Sequence, residues 1–190
     1  MQTGLLAERL WPQSQGSRIA RDAGLAVIGS LVVAVAAQVT VPMVPVPMTL
    51  QSLAVLMVGA AYGARLGALT LALYALEGVI GLPVFHNLTG GPAVLFGPTG
   101  GYILGFILAA GLVGLLAERG WSATTLRMTA ASLAGAAVLY VPGLLWLATF
   151  TGPDKVLALG LLPFLAGDAV KAAIAGLALP AAEKLLRART

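Results

Sequence analysis

Three long stretches of this sequence contain no Asp, Glu, Lys or Arg, and they constrain the fold more than any other feature. They cover residues 23–64, 78–117 and 128–153. A helix needs about 17–25 apolar residues to cross a bilayer, so these stretches have room for more than three spans. Only 9% of the chain is charged, whereas a soluble domain has about 25%. Because the apolar residues run continuously and do not alternate as in a β-barrel, the chain is predicted to be an all-α integral membrane protein.

Proline, glycine and charged residues divide the apolar sequence into six predicted spans. These are residues 21–39, 49–62, 66–82, 99–117, 126–150 and 161–185. Pro42, Pro45 and Pro47 predict an extended loop after span 1, because proline fixes φ and restricts the residue before it. Thr49 is well placed as the N-cap of span 2, and Pro163 suits the first turn of span 6. The expected architecture is a six-transmembrane-helix bundle.

The basic residues predict how this bundle is oriented. Nine of the 11 Lys and Arg residues lie in the N-terminal arm, the 2–3 turn, the 4–5 loop or the C-terminal tail. Lys155 alone lies in a loop on the other side, and Lys171 lies inside a span. The positive-inside rule therefore predicts a multi-pass plasma-membrane protein with both termini in the cytoplasm. Residues 1–18 are expected to form a cytoplasmic or interfacial arm, and residues 19–190 a single six-helix membrane domain.

Span 6 carries two charged residues in apolar surroundings. Asp168 and Lys171 are three residues apart, so they share one helix face. Isolated charge in hydrocarbon is costly, which makes an intramembrane ionisable pair a candidate functional site. The alternative is a self-neutralising ion pair that only fixes helix packing. With span 6 entering from outside near Pro163, the pair is expected in the outer half of the membrane, beneath the outer loops.

Polar residues in and beside the outer loops provide further candidates. Thr49 and Gln51 start span 2, while His86 and Asn87 lie in an apolar loop segment that is able to fold inward as a lid. His86 has no second His or Cys near it, so it is weak evidence for a metal or acid–base site. Glu77 lies near the outer end of span 3, where snorkelling or pairing explains it as well as function does.

Span 1 carries a stripe of small residues four apart: Ala26, Ser30 and Ala34. Such stripes let helices approach closely in lipid, and the partner is either another span of this chain or a different subunit. The chain has no cysteine, which excludes disulfides and thiolate catalysis. It also has no P-loop motif, so any ATP hydrolysis would need another polypeptide. The basic residues lie at span ends, which topology explains better than nucleic-acid binding.

Four segments together resemble the BioY family, the biotin-binding S components of energy-coupling factor (ECF) vitamin transporters. The segments are residues 47–56, 81–85 and 97–106, together with the pair Asp168 and Lys171. The resemblance covers about residues 30–184. It implies a substrate-capture subunit that is open to the outside and specific for biotin, and not an enzyme. It also implies a membrane T subunit and cytoplasmic ATPase subunits as partners, with biotin as transported ligand and no cofactor or metal.

The resemblance further implies roles for individual residues. Asp168 and Lys171 would contact the ligand, as would Asn87 after the Pro-Val-Phe stretch, and Thr49 and Gln51 would line the pocket. The small residues of span 1 would dock the T subunit; the candidates are Ala26, Ser30 and Ala34.

Biotin is also chemically plausible. Its ureido ring has two N–H donors and one carbonyl acceptor, which suit Asp168 and either Lys171 or Asn87. Tyr74 and Phe85 are candidates to pack against its thiophane ring. Three alternatives stay open: an S component for another small vitamin, a stand-alone membrane facilitator, and an intramembrane enzyme.

Overall fold

The computed structural model describes residues 5–10 and 18–187, which are mainly helical. The helices are α1 (Leu6–Leu10), α2 (Arg18–Gln38), α3 (Gln51–Tyr62), α4 (Ala64–Val79), α5 (Pro92–Leu95), α6 (Gly100–Glu118), α7 (Thr125–Thr151), α8 (Pro153–Gly160) and α9 (Leu165–Arg187). Short 3₁₀ turns occur at His86–Leu88 and Trp121–Ala123. Strands β1 (Thr40–Val41) and β2 (Met48–Thr49) pair antiparallel, with Thr40 opposite Thr49.

Within these described residues, four helices are long and apolar enough to cross a membrane: α2, α6, α7 and α9. Helix α3 is also apolar but shorter. The prediction of a helical membrane protein is thereby confirmed. Each of the six predicted segments overlaps one of the helices α2, α3, α4, α6, α7 and α9 over most of its length, whereas the number of spans and their orientation stay predictions.

The chain between α7 and α9 differs from the prediction in two ways. Residues 151–160 were expected to be a loop, but most of them form α8. Gly152 adopts a positive φ of 81°, Pro153 starts the helix and Val156 is buried, so the segment folds back as a helix. The expected helix start near Pro163 is also wrong, because residues 161–164 form a turn and α9 begins at Leu165.

The start of α3 is a further correction. Thr49 was predicted to be its N-cap, but it lies in β2 and Leu50 occupies the cap position. The reason is that pairing with Thr40 keeps the backbone of Thr49 extended. The hydroxyl of Thr49 still accepts a hydrogen bond of 3.1 Å from the backbone N–H of Gln51, so it satisfies a free donor of the first turn.

Helix α6 lies at the centre of the bundle and packs against α3 and α7 at very short range. A Cβ atom on Gly59 of α3 would lie 2.6 Å from the carbonyl oxygen of Ala110, and one on Gly105 would lie 2.5 Å from that of Leu139. Only glycine permits such close backbone approach, which is how helices in lipid gain packing contacts. This packing holds α3 and α7 closely against α6.

Of the three small residues that were predicted to form a docking stripe on α2, one packs within the chain. Ser30 is completely buried, and its hydroxyl lies 3.1 Å from Oε1 of Glu77 on α4. In this conformation Ser30 is therefore not available to another subunit, because α4 covers it. Ala26 and Ala34 are half-buried, and the exposed side of α2 presents larger residues such as Leu31 and Val35.

Helix α1 packs at the end of the bundle where α3, α6 and α9 end. Leu6 is buried in one apolar cluster with Ala60, Ala117 and Leu179. Residues 1–4 and 11–17 of the predicted arm lie outside the described residues. The opposite end of the bundle, where α3, α6 and α9 begin, carries the β-hairpin and residues 85–88.

Candidate functional site

A cavity opens at the end of the bundle that carries the hairpin. It encloses about 760 Å³ of space not filled by protein atoms, a volume that includes the open solvent at its mouth. Its polar lining residues are Thr49, Gln51, Ser52, His86, Thr99, Tyr102, Tyr140, Asp168 and Lys171. Its apolar wall comes mainly from the hairpin, α6 and α7, and includes Val46, Met48, Phe85, Ile103, Phe106, Leu139 and Phe164.

Asp168 and Lys171 meet at the wall of this cavity. Oδ1 of Asp168 lies 3.6 Å from Nζ of Lys171, and their side chains are only 12% and 8% exposed. Because α9 starts at Leu165, Asp168 lies in its first turn, where the helix dipole and free N–H groups favour negative charge. The predicted pair therefore exists, and it sits where it can reach a ligand in the cavity.

Two partners of this pair were missed in the sequence. The hydroxyl of Tyr140 on α7 donates a hydrogen bond to Oδ2 of Asp168, and Nζ of Lys171 donates one of 2.8 Å to Oγ of Ser52 on α3. Ser52 lies inside residues 47–56, one of the segments that carried the family resemblance, so the sequence contained an indication of its role. Tyr140 is 28 residues from Asp168 within an apolar helix, and no sequence pattern singled it out.

Gln51 and Tyr74 form a second polar contact beside the cavity. The Nε2 group of Gln51, a residue 7% exposed, donates to the hydroxyl of Tyr74, which in turn donates to the backbone oxygen of Val84 at 2.9 Å. Tyr74 is completely buried and is not among the lining residues of the cavity, so it supports the wall from behind. It was predicted to pack against a ligand; in this structure it holds Gln51 and Val84 in place, because α4 lies one layer outside the cavity.

Phe85, His86 and Asn87 have different environments although they are consecutive. Phe85 is 1% exposed, lines the cavity and packs edge to face on Tyr74, with ring centroids 5.5 Å apart. His86 also lines the cavity, and partial burial lowers its pKa because the charged ring is disfavoured there. Asn87 is exposed and is not among the lining residues. The structure thus does not bring Asn87 to the predicted position, because its backbone turns away from the cavity with φ of 54°.

The chemistry of the cavity is that of a binding site for a small, mostly apolar molecule with a few polar groups. Asp168 supplies acceptors, Lys171 supplies donors, and Gln51 supplies both, while aromatic and aliphatic side chains surround them. These polar groups converge on one region of an apolar wall, as they do in sites that fix a ligand's orientation.

Comparison with known proteins gives this site a family context. The sequence model of the BioY family matches residues 7–188, which is nearly the whole chain. The chain belongs to the BioY family. The resemblance seen in the four sequence segments is thereby confirmed.

Individual relatives of this BioY-family chain agree with that assignment. It is 40% identical over 156 residues to the probable biotin transporter BioY of Pyrococcus horikoshii, across 82% of this chain and 92% of that protein. It is 39% identical over 151 residues to the biotin transporter BioY of Thermotoga maritima, across 79% and 88% of the two chains.

A solved structure shares the fold of this BioY-family chain. It is the S-component for biotin from an ECF-type ABC transporter, with a TM-score of 0.76 and 21% identity, across 92% of this chain and 95% of that chain. At this identity the similarity shows that the two chains share an architecture.

Proposed function

We propose that this chain is the biotin-binding S component of an ECF-type vitamin transporter and is not an enzyme. The observation that carries the proposal is the ion pair of Asp168 and Lys171 in the cavity wall, 3.6 Å apart and largely buried. The pair lies in a BioY-family fold, and the relatives that match most of the chain bear the name biotin transporter. If the pair were purely structural, apolar residues could replace it with little loss of stability. Its presence therefore favours a ligand-binding role.

The polar groups of biotin match the groups in the cavity. An N–H of its ureido ring would donate to Asp168, and the ureido carbonyl would accept from Lys171 or Gln51. The thiophane ring would pack on Phe85 and the other aromatic side chains of the wall. Such a site would reject analogues that lack one polar group, because its own buried group would be left without a partner. Asn87 would join this set only if the backbone of residues 86–88 rearranges on binding.

The membrane topology belongs to the same proposal. Six spans would place both termini in the cytoplasm of a plasma-membrane protein, and the cavity would face outward. The packing supports this orientation, since Arg65 at the start of α4 and Arg119 after α6 lie at the end of the bundle opposite the cavity. Residues 19–190 would form the membrane domain, and α1 would cover its cytoplasmic end.

The partners would be an ECF T subunit in the membrane and cytoplasmic ATPase subunits. Ala26 and Ala34 remain candidates for docking the T subunit because they are half-buried on α2. Ser30 is a poorer candidate, since it is already bonded to Glu77.

The test is equilibrium binding of biotin to the purified chain in detergent, with thiamine and riboflavin as controls. We expect tight, selective and nearly stoichiometric binding of biotin without any partner subunit. Selective binding of thiamine or riboflavin would leave an S component for another vitamin. A folded, monodisperse sample that binds none of the three would refute the proposed substrate.

A further inference from the structure

Gln38, the last residue of α2, bonds to a distant segment of the chain with both ends of its side-chain amide. Its Nε2 group lies 3.0 Å from the backbone oxygen of Phe85, and its Oε1 accepts a 3.0 Å hydrogen bond from the backbone N–H of Leu88. Nε2 also lies 3.0 Å from the backbone oxygen of Ala34, one turn back in α2. One side chain thus spans the whole of residues 85–88, which we term the covering segment.

The covering segment lies between the cavity and the protein surface. Phe85 and His86 line the cavity, whereas Asn87 and Leu88 are exposed on the other side. The segment is anchored at its start, because the ring of Phe85 fills the space beside Gly78: a Cβ atom there would lie 2.0 Å from Cζ of Phe85.

The middle of the covering segment has a conformation that needs support. Asn87 and Leu88 are consecutive residues with φ of 54°, in the left-handed region that residues other than glycine rarely adopt. Such residues persist only where surrounding contacts hold them. At Leu88, whose side chain is 67% exposed, the side-chain contact that does so is the hydrogen bond to Gln38.

We propose that Gln38 is a positioning residue that holds the covering segment closed over the cavity and thereby limits the rate at which ligand enters and leaves. The inference rests on the proposed function, in that biotin is the ligand used to measure those rates. Gln38 does not itself line the cavity, so it acts through Phe85 and His86.

This role has a kinetic consequence that a wall residue would not have. If closure limits passage in both directions, loss of the two hydrogen bonds raises the fraction of open molecules with and without ligand. Association and dissociation rates then rise together, and the dissociation constant changes little. Two ordinary hydrogen bonds shift such an equilibrium by about thirtyfold, so each rate is expected to rise about thirtyfold.

The test compares Gln38→Met, which keeps the shape of the side chain without its amide, with Thr40→Val as a matched control. The hydroxyl of Thr40 bonds to the backbone oxygen of Ala37 at the same end of α2. Stopped-flow biotin binding is expected to show both rates raised in Gln38→Met and unchanged in Thr40→Val. A rise in the dissociation rate alone, or no change in either rate, would overturn the proposal.

A second measurement needs no ligand and separates this proposal from the proposed substrate. Hydrogen–deuterium exchange of a peptide covering residues 85–89 is expected to be about thirtyfold faster in Gln38→Met, because the segment opens more often and the N–H of Leu88 loses its acceptor. Exchange that matches the wild type would refute the closure role whether or not biotin binds. Faster exchange in Gln38→Met than in the wild type, together with a wild-type protein that fails to bind biotin, would refute only the substrate.

Discussion

Lys171→Met tests whether the buried pair binds ligand or only holds the bundle together. The substitution removes the 2.8 Å hydrogen bond to Ser52 and leaves Asp168 without the cation 3.6 Å away. Breaking a buried ion pair from one side costs about 3–5 kcal/mol, so the free energy of unfolding should fall by about that amount. Biotin affinity should fall by at least about 2 kcal/mol, which is roughly a thirtyfold rise in the dissociation constant.

The double variant Asp168→Asn/Lys171→Met separates the two roles. Neutralising both partners removes the unpaired charge, so most of the unfolding free energy should return. If both residues contact biotin, affinity stays at least about thirtyfold weaker. Thermal melting in detergent and isothermal titration with biotin measure the two quantities, with Lys155→Met as the control because Lys155 is exposed on α8. Wild-type affinity in the folded double variant would show that the pair is structural and refute the binding role.

Three further outcomes are expected. Gly78→Ala should displace Phe85, lower stability by about 1–3 kcal/mol and weaken biotin binding, whereas Gly111→Ala, whose Cβ would meet only ordinary contacts, should do neither. Ser30→Ala should cost about 1 kcal/mol of stability and leave biotin affinity unchanged, as melting and titration would show. Burial lowers the pKa of His86 in the folded protein, so as the pH falls the unfolded chain binds a proton at this residue before the folded chain does. The melting temperature should therefore decrease from pH 7.5 to pH 5.5, and the decrease should be smaller in His86→Gln.

The helices of the bundle were predictable because the hydropathy of each segment depends only on the residues of that segment. The starts of α2, α3, α4, α6 and α7 lie within three residues of the predicted span starts. Helix α8 was not predictable in this way: it is short, and it carries Asp154 and Lys155. Its helical state depends on Val156 packing against neighbouring helices, and that contact is set by tertiary structure.

The charged pair was predictable for a different reason. Placing two ionisable residues on one face of an apolar helix costs free energy, so Asp168 and Lys171 can be identified as a candidate functional site from the sequence alone. The residues that surround the pair cannot be identified in this way. Tyr140 and Ser52 complete the hydrogen bonding of the pair from α7 and α3, and those helices reach it only through the close packing around α6.

The same distinction explains why Gln38 carried no signal. An amide in an apolar helix must find hydrogen-bond partners, since leaving it unpaired away from water costs free energy. That rule predicts that Gln38 has hydrogen-bond partners, but it does not identify them. The partners are backbone atoms of Phe85 and Leu88, and backbone groups exist at every position of a sequence. Side chains that bond to a distant backbone are therefore the class of functional residue that composition and motifs reveal least, and in this fold they determine how the cavity is closed.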